Sequence, residues 1–334
     1  MEGIDLTLVW AGIIAFAILV YVVMDGFDLG IGILFPGFAS SEERDEAMNS
    51  IAPYWDGNET WLVMGGGGLL AVFPLAYAVI LPATYPLIIA MLLGLIFRGV
   101  AFEFRWRDKA HEALWDRAFM VGSVIAALSQ GMILGALLQG IKVENAAYAG
   151  SWYDWLTPFT LLTGIGVMIG YALLGACWLI WRTEGGTQAH ARRMAGMLVL
   201  ATVGAMLLVS LATLFLDEEY WRRWLTYPSV IFCMIVPLLV AACTFGLLRS
   251  LQRPRDHVPF LLSLILFALG FAGLGISIWP NIVPPSVTIW EAAAPPESQA
   301  FLLAGAIVII PMILAYSAWS YWVFRGKVGE GGYH

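Results

Sequence analysis

Asn49 to Val63 reads NSIAPYWDGNETWLV and sets an acid, an amide and a second acid, Asp56, Asn58 and Glu59, directly ahead of an apolar run beginning at Leu62. Two readings are open. In one the acids cap a helix: Asp56 is the N-cap of a helix starting at Gly57 and Glu59 closes a capping box, both suiting the positive end of the helix dipole. In the other they head a membrane helix, where a charge is tolerated only against water, protein or a partner charge and so marks function.

The surrounding chain makes the helix a membrane helix. Of 334 residues, 60% are hydrophobic and 12% charged, and the mean hydropathy is +0.81, well outside the balance of a soluble domain. The net charge of −7 therefore carries no nucleic-acid signal, and each acid has to be judged by its depth. Cys177, Cys233 and Cys243 lie inside apolar runs without paired spacing and read as reduced packing residues. The first apolar run lacks a basic leader, carries Glu2 and Asp5, and reads as a retained helix.

Nine stretches are long enough to cross a bilayer of about 30 Å: Leu6–Phe35, Trp61–Leu81, Pro82–Phe104, Arg117–Ile141, Leu156–Trp181, Met194–Leu216, Leu225–Leu248, Val258–Trp279 and Ala300–Phe324. Pro82, with Pro86 close behind, marks the expected turn between the second and third. The connections Gly140–Trp155 and Pro280–Gln299 read as surface caps. The pattern is that of an all-α polytopic membrane protein forming a single integral membrane domain over residues 1–334.

Basic residues set its expected orientation, because cytoplasmic loops retain Lys and Arg. Thirteen of the seventeen fall after odd-numbered stretches: Arg44, Arg105, Arg107, Lys109, Arg117, Arg182, Arg192, Arg193, Arg249, Arg253, Arg255, Arg325 and Lys327. The N-terminus is expected outside and the C-terminus in the cytoplasm. Trp152–Tyr153–Trp155, Tyr220–Trp221–Trp224 and Trp319–Tyr321–Trp322 sit at expected helix ends as an interfacial belt.

With that orientation, the intramembrane charges gather in one half. Asp25 and Asp28 share a helix face on the first stretch, Asp56 and Glu59 stand at the head of the second, and Arg98 and Glu103 lie in the third. Arg98 and Glu103 point about 140° apart, so Arg98 should seek a carboxylate on the first or second helix. A clasp of ion pairs is the structural reading; a hydrated acidic path in which neighbouring carboxylates hold protons is the functional one. Asn58 and Trp61 stand beside these residues in supporting positions, as does Asp28. Gly26 and Gly30, Gly32, and the run Gly65 to Gly68 read chiefly as close helix packing. His111, His190, His257 and His334 all fall in loops or at the terminus, which leaves no membrane-buried imidazole as an axial haem ligand. No P-loop and no CxxC motif occurs, so redox chemistry is expected on another chain.

Three strings, MDGFDLGIGIL (Met24–Leu34), NSIAPYWDGNETWLV and LIFRGVAFEFR (Leu95–Arg105), resemble subunit II of the cytochrome bd family of quinol oxidases in order and spacing. GFDLG and WDGNETW are nearest its cyanide-insensitive branch. WPNIVPPSVTIWEAA (Trp279–Ala293) and AYSAWSYWVFRGKV (Ala315–Val328) extend the resemblance to the C-terminal end. The resemblance implies two four-helix bundles plus one peripheral helix, in a bacterial cytoplasmic membrane. It implies a heterodimer with subunit I, which carries two b-type haems, one d-type haem and the quinol-oxidising loop, while this chain binds no haem alone and has no catalytic residue of its own. The complex oxidises quinol and reduces dioxygen to water with cytoplasmic protons. By motif, Asp25, Asp56, Glu59, Arg98 and Glu103 fall on the proton pathway or the subunit interface; Glu103 stands where some relatives have Asp. Some relatives add a small single-helix subunit or a structural quinone, for which no site is legible here.

Two other classes are weighed against this. A stand-alone proton-coupled transporter would also need buried acids, yet the hydropathy shows no inverted repeat and no helix pair broken at matching positions. A scaffold without any part in proton movement would need the clasp alone.

Overall fold

The structure is a computed structural model that describes residues 5–328; the readings made for Glu2 and His334 lie outside the described residues. Thirteen α-helices follow in order: α1 (Leu6–Leu34), α2 (Ser41–Asn49), α3 (Trp55–Val72), α4 (Pro74–Arg107), α5 (Glu112–Gln139), α6 (Pro158–Arg182), α7 (Gly185–Thr213), α8 (Glu218–Leu225), α9 (Ser229–Cys233), α10 (Ile235–Ser250), α11 (His257–Ile278), α12 (Ile289–Ala292) and α13 (Pro296–Val323). Eight spans among the described residues are long and apolar enough to cross a membrane, and the chain is an all-α polytopic membrane protein. The 18-residue α3 is not one of these eight, its first two turns being given to Asp56, Asn58 and Glu59, so the expected count of nine stands at eight among the described residues.

Local chemistry sets the helix ends. Asp5 opens α1 by accepting hydrogen bonds from the Thr7 and Leu8 amides, the first at 2.9 Å, and Thr157 opens α6 with a capping box ahead of Pro158. Gly140 closes α5 at φ +89°, a backbone state that residues with a Cβ rarely adopt.

Two expected boundaries move. The turn between the second and third stretches falls at Phe73, not at Pro82: Phe73 leaves helical geometry at φ −123°, ψ 61°, and Pro74 starts α4, where the missing N–H costs nothing. Pro82 and Pro86 lie inside α4: each removes one N–H, which leaves the Ala78 and Pro82 carbonyls without their helical donors, a loss that membrane helices tolerate. The seventh stretch starts at Ser229 rather than Leu225: α8 ends at Leu225, and past Pro228 α9 and α10 follow as one span over Ser229–Ser250. The two long connections fold into antiparallel hairpins. One pairs β1 (Val143–Glu144) with β2 (Ala147–Tyr148), and the other pairs β3 (Asn281–Val283) with β4 (Val287–Thr288).

The long central helix α1 packs on α3, α5 and α6; α4 lies on α3 and α5; α6 carries α7 and α11; and α13 runs along the side of α1 and α3. Small residues bring the backbones together, as the sequence suggests. A Cβ on Gly175 of α6 would stand 2.6 Å from the Gly30 carbonyl carbon of α1, and one on Gly94 of α4 would stand 2.7 Å from the Gly122 oxygen of α5. Within the quartet on α3, Gly65 and Gly68 face Ile18 and Ile14, whereas Gly66 and Gly67 open outward. The largest apolar core, which includes Phe27 stacked on Trp178 at 4.3 Å, fills the half nearest the arginine-rich end. A second core around Trp10, Phe73 and Val283 fills the other half.

Candidate functional site

Three helices bring the intramembrane charges together. On α1, Asp25 and Asp28 are both wholly buried; on α4, Arg98 is 1% exposed. Arg98 Nη1 donates to Asp25 Oδ1 at 2.5 Å, and Nη2 donates to Glu59 Oε1 at the head of α3. Glu59 is itself 27% exposed, so the ion triad runs from the bundle interior to its surface. The Trp55 ring lies 5.8 Å from the guanidinium, shielding it from the apolar side. The expectation that Arg98 pairs with a carboxylate on the first or second helix is met on both.

Asp28 takes a different partner. Asn58 Nδ2 donates to its Oδ2 at 2.7 Å, and Asn58 Oδ1 accepts from the Tyr321 hydroxyl of α13 at 2.9 Å. Tyr321 stacks on Tyr54 at 4.3 Å, Tyr54 donates to the Phe324 carbonyl at 2.7 Å, and Arg182 donates to that carbonyl at 2.6 Å. A polar file thus leads from the buried Asp28 to the arginine-rich end of the bundle. Asp25 Oδ2, Asp28 Oδ1 and Arg98 Nε are buried without hydrogen-bond partners, so the cluster is polar beyond what its own pairs satisfy.

Other expected residues stand apart. Asp56 does not cap α3: the N-cap is Tyr54, which makes no side-chain cap hydrogen bond, and Asp56 is exposed on the face that also carries Thr60 and Val63. The capping-box reading fails because Glu59 turns to Arg98 instead. Glu103 is 60% exposed and pairs only with Arg107, one turn along, at 3.7 Å; it does not meet Arg98. Trp61 is buried against α1 with Ala17 and Tyr21. Tyr220 and Tyr321, expected in the interfacial belt, turn inward: Tyr220 donates to the Leu138 carbonyl at 2.8 Å.

Two features escaped the sequence reading. Arg105, taken only as an orientation charge, is wholly buried and held by Asp45 and Asp116 at 2.5 Å and Glu112 at 2.9 Å, which fastens α2 to α4 and α5. Gln130, a lone amide inside an apolar stretch, was a visible signal; it bonds Tyr21 and Tyr171. Among the described residues no group of three or more His, Cys, Asp or Glu is placed to hold a metal ion. His111 and His190 pair with Asp108 and Glu43 beside the arginine-rich end, where neither is an axial ligand for a haem within the bundle.

The family model for cytochrome bd terminal oxidase subunit II matches residues 6–324. The chain belongs to this family. It is 28% identical to the cytochrome bd-I ubiquinol oxidase subunit 2 of Escherichia coli K12, over 97% of this chain and 95% of that one. It is 27% identical to the cytochrome bd ubiquinol oxidase subunit 2 of Bacillus subtilis 168, over 96% of each. In fold it matches a structure of the bd oxidase from Geobacillus thermodenitrificans with a TM-score of 0.77 at 16% identity, covering 96% of this chain and 99% of that chain. As a cytochrome bd subunit II the chain is one subunit of a membrane quinol oxidase, an oxidoreductase complex with a haem-bearing partner subunit. The transporter alternative finds no support.

Proposed function

We propose that this cytochrome bd subunit II holds subunit I in place and carries protons toward it through the charged cluster of α1, α3 and α4. The carrying observation is the ion triad. One buried cation, Arg98, faces Asp25 and Glu59, with the wholly buried Asp28 one turn along α1. Three carboxylates around one guanidinium would leave uncompensated negative charge in an apolar bundle, a state that favours binding a proton.

Glu59 reaches the surface and can exchange a proton with water. Arg98 then keeps the remaining carboxylate oriented while the proton passes to Asp25. Asp56, exposed ahead of Glu59 on α3, is the collecting acid on this reading, and Glu103 supplies negative potential on the neighbouring turn. The Asn58–Tyr321 file gives Asp28 a second polar contact with the arginine-rich end, which faces the cytoplasm of a bacterium under the positive-inside rule. The haems, two of b type and one of d type on subunit I, supply electron transfer and dioxygen reduction with electrons from quinol. This chain supplies shape and protons.

Glu59→Gln tests the reading. It keeps the hydrogen bond to Arg98 but cannot exchange a proton, so the complex should assemble with full haem and lose most haem-normalised oxygen consumption with excess quinol. Near wild-type turnover would leave the triad with a clasping role only.

A further inference from the structure

A second polar chain in the core has no part in the path above. Gln130 of α5 donates from Nε2 to the Tyr21 hydroxyl of α1 at 2.7 Å and accepts at Oε1 from the Tyr171 hydroxyl of α6 at 2.6 Å. Both tyrosines are buried. An amide has one donating and one accepting end, so the chain has a direction: the Tyr171 proton points to Gln130 and a Gln130 proton points to Tyr21. The Tyr21 hydroxyl hydrogen is left over.

Tyr21 lies four residues before Asp25, one turn along the same face of α1, and both side chains are buried. Asp25 Oδ1 is occupied by Arg98, while Oδ2 is buried without a hydrogen-bond partner. The charged and titratable groups facing Asp25 are Asp28 and Tyr21 on α1, Glu59 on α3, Arg98 on α4 and Tyr171 on α6. Arg98 is committed to its ion pairs, Asp28 and Glu59 are acids, and the Tyr171 proton goes to Gln130. Of these groups Tyr21 is thus the neutral donor free to answer a change of charge on Asp25.

We infer that Tyr21, oriented by Gln130 and Tyr171, is a positioning residue that turns its hydroxyl proton to Asp25 Oδ2 when the carboxylate is ionised and releases it when the acid is protonated. It thereby sets the pH at which Asp25 takes up and gives back its proton. The inference rests on the proposed role of Asp25 as a relay acid.

In the purified quinol oxidase complex, Tyr21→Phe keeps the ring and removes the donor. Losing a donor to a carboxylate favours the protonated acid, so the alkaline limb of haem-normalised oxygen consumption should move to higher pH by about one unit. Gln130→Leu should move it the same way by less. A limb superimposable on wild type in Tyr21→Phe overturns the inference; if that variant does not assemble, an unmoved limb in Gln130→Leu does so. An infrared titration separates this from the relay reading. The carbonyl band of protonated Asp25, identified by its loss in Asp25→Asn, should appear at a pH about one unit higher in Tyr21→Phe, whether or not Asp25 limits turnover. Full turnover in Asp25→Asn sinks the relay alone, and an unmoved band sinks the role of Tyr21 alone.

Discussion

Arg98 of α4 and Asp25 of α1, 73 residues apart in the chain, share a hydrogen bond of 2.5 Å in a position where both side chains are 1% exposed. Removing one member of such a pair leaves the other as a bare buried charge, which costs roughly 3 to 5 kcal/mol.

Arg98→Leu should therefore reduce the amount of complex recovered, not merely its rate. Yield and haem content after purification check this, and normal values for both would argue against a clasp. Arg98→Lys should recover part of the yield, since one ammonium can serve only one of the two carboxylates well.

Helix crossings at glycine give a second outcome. Gly175→Ala drives a methyl into the Gly30 backbone, where overpacking costs about 1 to 3 kcal/mol. Gly204→Ala in α7 meets nothing within 4 Å and should be neutral or slightly stabilising through helix propensity. Thermal denaturation of the detergent-solubilised complex should show a lower midpoint for the first and no loss for the second.

Asp256 gives a pH dependence outside the spans. Burial alone would raise its carboxyl, but hydrogen bonds from Lys327 and Gln188 and the charges of Lys327 and Arg192 outweigh this and hold it below the usual aspartate range. A carboxyl depressed in the folded state contributes stability above its unfolded value, about pH 4, and loses it as the pH falls through the folded one. The thermal midpoint should therefore drop on acidification through that window, and Asp256→Asn should start lower near neutrality and fall less. Parallel curves for variant and wild type would remove Asp256 from the acid response.

Asp56 offers a sharper contrast than the sequence alone allowed. Since it caps nothing, Asp56→Asn should leave assembly intact, and any lost turnover reports proton exchange rather than helix stability. On the proposed path the Asn variant should lose most haem-normalised turnover while Asp56→Glu retains a good part. Equal activity in the two variants would take Asp56 off the path.

Much of this was legible in the chain. Apolar runs located the spanning helices because a bilayer imposes length, and Arg98 announced a partner because an unpaired guanidinium is not tolerated there. Proline misled, since Pro82 and Pro86 read as a turn but sit inside α4; a membrane helix tolerates the lost hydrogen bonds. Burial of Arg105 was not legible either. Its three carboxylates, Asp45, Glu112 and Asp116, come from α2 and α5, and only the tertiary fold brings them to one point. The inward turns of Tyr321 and Tyr220 were hidden for the same reason, because a tyrosine at a helix end looks interfacial until its neighbours are known.

The central claim is that protons reach the haem-bearing subunit through this chain, and it is tested most directly by timing proton uptake. The fully reduced complex is mixed with dioxygen in the presence of a pH indicator, and uptake from the medium is followed in wild type and Glu59→Gln. The account expects the first, proton-independent electron transfer to keep its rate while uptake slows by about 100-fold. Uptake at the wild-type rate in Glu59→Gln, with haem content unchanged, would contradict it.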